Sequence, residues 1–105
     1  MTYDQKLAGR IRKLLPRARE HRMFGGIGLM ERGHLVAGVS RDDLIVRVPA
    51  GETSRWLKEP GARPMMMKRP MKGWVKVSAT ALSDDAVLKA WINRSRALVE
   101  SLPSK

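Results

Sequence analysis

The 105-residue chain contains no cysteine. Disulfides, thiolate metal ligands and cysteine nucleophiles are thereby excluded. Aromatic residues are sparse: one phenylalanine, one tyrosine and three tryptophans. Acids are scarce too, with ten Asp and Glu against 21 Lys and Arg, giving a formal net charge of +11. No stretch approaches the roughly 20 apolar residues needed to cross a bilayer. The opening MTYDQKLAGRIRKLL lacks the apolar run of a signal peptide. A cytoplasmic protein without membrane contact is expected.

What is present describes a packed chain. Hydrophobic residues make up 43%, too many for a disordered tail, and the length suits one domain over residues 1–105. Leu7, Ile11, Leu14, Leu15 and Ala18 recur at helical spacing, with Asp4 as a candidate cap. Pro16 removes a helical hydrogen bond and should end this helix near Leu15. Three strands are predicted at Arg22 to Met30, His34 to Val39 and Leu44 to Val48, joined by turns as a meander. In the third, Leu44, Val46 and Val48 share a face opposite Ile45 and Arg47.

A short helix is expected over Glu52 to Lys58, stopped by Pro60 and Gly61. Two further strands, Ala62 to Lys68 and Gly73 to Ser78, meet at the Arg69-Pro70 corner. A last helix follows Ser83 as cap, with Asp84 and Asp85 at its positive end. Its apolar stripe is Val87, Leu88, Trp91, Ile92, Leu98 and Val99. The predicted class is α+β, two layers in the order α-β-β-β-α-β-β-α, with one antiparallel sheet covered by helices. Phe24, Leu44, Val46, Val75, Trp91 and Ile92 are the expected core.

Gly25, Gly26 and Gly28 raise the possibility of a phosphate loop. Such loops direct backbone amides at an anion where a strand enters a helix. Here the glycines lead into another apolar stretch, and no Gly-Lys-Ser or Gly-Lys-Thr follows. A bulge or close backbone packing is the better reading. His21 and His34 lie in separate elements, so neither they nor Asp42 and Asp43 form a metal pattern. Asp43 is expected to pair with a nearby arginine. Ser40, Ser54, Ser78 and Ser83 lack a nucleophile context. No catalytic residue, cofactor, metal or small-molecule substrate is expected.

Several ordered blocks carry a family resemblance. They are Arg22-Met23-Phe24-Gly25-Gly26 with the Gly28 strand after it, Asp43 to Val48, Gly61 to Met65, and Arg69 to Trp74. Together they resemble the TfoX/Sxy N-terminal domain family, from about Tyr3 to Pro103. Some members control natural competence in bacteria, and many others are short stand-alone proteins. The resemblance implies a regulatory role, through DNA or partner transcription factors, and no catalytic residues. The longer competence regulators carry an additional C-terminal domain, so a chain of this length is expected to be the short form. At Met66, Met67 and Lys68 it departs from the acidic, aromatic and small polar residues common there.

The basic residues are unevenly spread. Residues 5 to 22 hold seven, and residues 55 to 76 hold seven more, with one acid in each stretch. Convergent cations of this kind suit phosphate contact, although a solvated helix face must also be polar. Candidate contacts are Arg10, Lys13 and Arg17 in the first stretch and Lys68, Arg69 and Lys72 in the second. Trp74, between Lys72 and Lys76, is a candidate stacking residue, with core burial as the plainer alternative. Met66 points away from Met65 and Met67 on a strand and is a candidate adaptable contact. No helix-turn-helix, zinc finger or RNA-binding motif is present. Candidate partners are nucleic acid, a transcription regulator or a second copy of the chain. The rival reading is a pure protein-interaction module built on the methionine-rich strand and Trp74.

Overall fold

The computed structural model describes residues 3–23, 25–66 and 68–103. Its elements are α1 (Gln5–Leu14), β1 (Arg19–Met23), β2 (Gly26–Glu31), β3 (His34–Ser40), β4 (Asp43–Arg47), α2 (Thr53–Trp56), β5 (Ala62–Met66), β6 (Pro70–Ser78) and α3 (Asp85–Glu100). Short 3-10 turns precede α2 and α3. The strands form one antiparallel sheet in the order β1-β2-β3-β4-β6-β5. The fold is α+β, with helices flanking the sheet much as the sequence predicts.

The differences have physical causes. The segment expected as one strand from Arg22 to Met30 is two, because the chain reverses between Met23 and Gly26 and β1 pairs back onto β2. The added strand reads Arg-Glu-His-Arg-Met, and four of its five residues are exposed. It carries no apolar alternation because it is a sheet edge. Pro64 is tolerated on β5 for the same reason, since that edge need not supply every ladder donor. The cap of α3 is Asp84, which accepts from the Ala86 amide at 2.8 Å; the expected cap, Ser83, lies one residue too early. Asp4 caps α1 as expected, accepting from the Lys6 and Leu7 amides.

The main core lies between the sheet and the helices. It joins Leu7 and Ile11 of α1, Leu44, Val46, Val75 and Val77 of the sheet, and Leu88, Trp91 and Ile92 of α3. Phe24, also expected in the core, lies outside the described residues. Val87 leaves the predicted stripe and is 40% exposed; buried Ser95 joins it instead. The Ser95 hydroxyl donates to the Val36 carbonyl and accepts from the Arg47 amide. Pairing of β3 with β4 stops at Ala37 and Val46, so this hydroxyl bridges the next two backbone groups. One side chain of α3 thus satisfies polar groups that burial would otherwise strand.

Glycines shape the sheet. Gly26 lies against the neighbouring strand, where an added Cβ would sit 1.8 Å from the Val39 carbonyl oxygen. Gly28 leaves room on the opposite face for Met23 and Leu35, whose side chains would stand 2.6 and 2.7 Å from such a Cβ. Ile45 also faces away from the main core by strand alternation, yet it is fully buried.

Candidate functional site

The second basic stretch runs from α2 into the β5–β6 hairpin. Lys68, Arg69 and Lys72 are exposed there and, among the described residues, have no ion-pair partner. Met66 stands beside them, 55% exposed, while Met65 turns inward. Strand alternation puts Lys72, Trp74 and Lys76 on one face of β6 and the buried Gly73, Val75 and Val77 on the other. Trp74 is therefore half-buried outside the core, and the Arg47 guanidinium lies 5.1 Å from its ring centroid. Beneath the hairpin, a groove of about 310 Å³ is lined by Thr53, Leu57, Pro64, Pro70, Met71 and Lys72, among others.

The neighbouring cations on that face are already engaged. Asp43 accepts a hydrogen bond from Arg63 and lies 3.9 Å from Lys76. The sequence anticipates this use of Asp43, and it removes two basic residues from the free set.

The first basic stretch divides. Arg10 is structural: its guanidinium donates to the Leu82 carbonyl at 2.6 Å and to Asp85 at 2.8 Å, tying α1 to the start of α3. Arg12 holds Glu20 through two hydrogen bonds of 2.9 Å. Those bonds keep the Glu20 carboxyl below the ordinary glutamate range and raise the Arg12 guanidinium. Lys13 is exposed beside a groove shared with Arg10 and Lys89. Arg17 is exposed between α1 and β1 and lines a separate groove of about 650 Å³ with Arg19, His21, Arg32 and Arg96.

The two stretches do not converge along the sheet. β1 and β5 are its opposite edges, five strand spacings or about 24 Å apart. Arg17 adjoins the first edge, and Lys68, Arg69 and Lys72 adjoin the second.

Sequence reasoning missed a stacked cation. Arg94 lies 3.5 Å from the Trp56 ring centroid and 5.0 Å from that of Trp91, and Arg55 approaches Trp56 at 4.9 Å. The two indoles meet edge to face at 6.1 Å. Burial pushes the Arg94 guanidinium below the usual arginine range, against the pull of Glu59. Spacing 91–94 on α3 signals the local pair, but nothing in the chain signals Trp56 above it.

The match to known proteins covers most of this geometry. Residues 11–98 match the TfoX N-terminal domain. The chain belongs to that family. The matched span includes all six strands and almost all of α3, and therefore the whole β5–β6 hairpin. The TfoX N-terminal domain is a non-catalytic regulatory module. Among the described residues, no three His, Asp or Glu side chains are grouped to hold a metal ion. None of the curated proteins and none of the solved structures matches the chain. No described helix is long and apolar enough to cross a membrane.

Proposed function

We propose that this TfoX N-terminal domain is a regulatory module that contacts nucleic acid, or a regulator already bound to it, through basic surface residues. The observation that carries this reading is the β5–β6 hairpin, where Lys68, Arg69 and Lys72 are exposed and have no acidic partner among the described residues. Free cations gain most from phosphate contact, because each releases condensed counterions without first breaking an ion pair. Trp74 and Met66 add a half-buried ring and a flexible apolar side chain beside the charges. Contacts of this kind position a protein on the phosphate backbone and do not read sequence. The reading assigns residues 1–105 to one domain and the chain to the cytoplasm, where such a partner resides.

Fluorescence anisotropy with a random DNA duplex at several salt concentrations tests it. Weak binding with a steep negative salt slope is expected. The triple variant Lys68→Gln, Arg69→Gln, Lys72→Gln should reduce that slope by about 2.7, at ~0.9 per phosphate contact. Absence of binding even at low salt sinks the reading.

A second reading has its own support. Met66 is 55% exposed beside the 310 Å³ groove with Pro64, Pro70 and Met71, which suits an apolar protein partner with the charge serving only solubility. A partner co-purified with the wild type but lost on Met66→Ser or Trp74→Ala, together with no DNA binding, favours this alternative.

A further inference from the structure

We propose that the groove between the β1 end of the sheet and the C-terminal half of α3 is a phosphodiester-binding site. This deepens the nucleic-acid reading and rests on it, but the residues are different from those of the hairpin. The groove has a volume of about 650 Å³, and its lining carries four arginines, Arg17, Arg19, Arg32 and Arg96, and His21 against two glutamates.

The internal pairing decides which of these charges are free. Arg96 lies 3.1 Å from Glu31 and 3.7 Å from Glu100, so one arginine answers both carboxylates. Arg32 donates to the Glu100 and Val99 carbonyls, at 2.7 and 3.5 Å, at the end of α3. Arg17 and Arg19 remain, with the His21 ring beside them. The side chains of all three are exposed and have no hydrogen-bond or ion-pair partner among the described residues. Arg32 keeps its charge against neutral carbonyls, so the groove is positive overall, and its side chains without a partner sit on the β1 side.

Spacing favours a repeating anion. Arg19 and His21 pair across to Met30 and Gly28, so they share one face of β1 about 6.7 Å apart. That separation is close to the step between successive phosphates of an extended nucleic-acid strand. Arg17 continues the row at the strand's entrance. Arginine's planar fork suits phosphate oxygens, whereas an acidic peptide would gain little apolar anchorage here beyond half-buried Met30. An edge strand needs some charge to resist aggregation; free arginines that also line one groove go beyond that need.

The test compares three double variants of the full chain: Arg17→Gln/Arg19→Gln in the groove, Lys68→Gln/Arg69→Gln in the hairpin, and Lys58→Gln/Lys89→Gln as a control of equal charge loss. Each is titrated by anisotropy against a labelled thymidine oligonucleotide and a random duplex over a range of salt. The groove variant should lose about 1.4 of the salt slope on the single strand or about 1.8 on the duplex, at ~0.7 and ~0.9 per contact. The control should lose clearly less, and the His21 ring resonances of the wild type should shift on titration. A groove variant that behaves like the control, with His21 unmoved, overturns this proposal while leaving the regulatory reading intact if the hairpin variant is impaired. No wild-type binding to either probe sinks both. Equal competition by polyglutamate would identify an acidic-protein site and overturn the phosphate assignment.

Discussion

Trp91 and Gly26 mark two ways in which one residue fixes this molecule. Trp91 is 3% exposed and joins α3 to the sheet core and, through its edge contact with Trp56, to α2. Truncation removes a large apolar volume that the surrounding elements cannot refill. A single cooperative unfolding transition is expected for the wild type, and Trp91→Ala should lower its stability by about 3–5 kcal/mol in urea denaturation. A change near zero would mean that the α3 packing is wrong. Gly26 acts through absence, since any Cβ there collides with the Val39 carbonyl. Its neighbour Gly25 has a φ of 70°, a left-handed turn between two strands. Neither residue begins a helix, so calorimetric titration with ATP, GTP or NAD should show no saturable, salt-resistant binding. Micromolar affinity abolished by Gly26→Val, in a variant still folded by circular dichroism, would reverse that reading.

At the scale of elements, α1 is fastened to β1 by the Arg12–Glu20 pair, which bridges a helix and the edge strand that follows it. Hydrogen bonding to Arg12 depresses the folded-state pKa of Glu20. The stabilisation is therefore present above the unfolded pKa, roughly pH 4.3, and is lost as pH falls through the lower folded value. The paired side chains are 39% and 42% exposed, so solvent screening limits the effect to a few tenths of a kcal/mol, at most about 1. Glu20→Gln should be slightly less stable than the wild type at neutral pH, and the difference should shrink as pH falls below the unfolded value and through the lower folded one. Urea melts at several pH values check this; a constant difference across the acid range would exclude the pair as its source. The strand itself was hidden from sequence reasoning because Arg-Glu-His-Arg carries no period-two apolar signal. By contrast β4, reading Asp-Leu-Ile-Val-Arg, and the amphipathic α1 were legible because burial writes directly into their side-chain pattern.

Across the whole molecule, the +11 charge is a sum that conceals its distribution. Arg10, Arg12, Arg63, Lys76 and Arg96 are engaged in ion pairs, whereas Arg17, Arg19, Lys68, Arg69 and Lys72 have none among the described residues. These five lie at or beside the two opposite edges of the sheet; elsewhere, Lys13, Lys58 and Lys89 likewise have no ion-pair partner among the described residues. Counting cations along the chain selected Arg10, which the fold uses internally. The same count includes Arg19 without choosing it as a contact, and His21 is weighed only as a metal ligand; the fold sets both beside a groove. The sequence by itself determined the α+β class, the helices at either end, the structural role of the glycines and the family resemblance. Each depends on local periodicity, turn chemistry or ordered blocks that survive in one dimension. Only the tertiary structure decided that a sixth strand closes one edge, that Trp56 and Arg94 stack, and which cations stay unpaired. The added strand depends on a reversal that no apolar pattern marks, and the stack and the Arg10–Asp85 pair depend on residues far apart in the chain. Side chains meet at such separations only after the sheet has brought its strands into register.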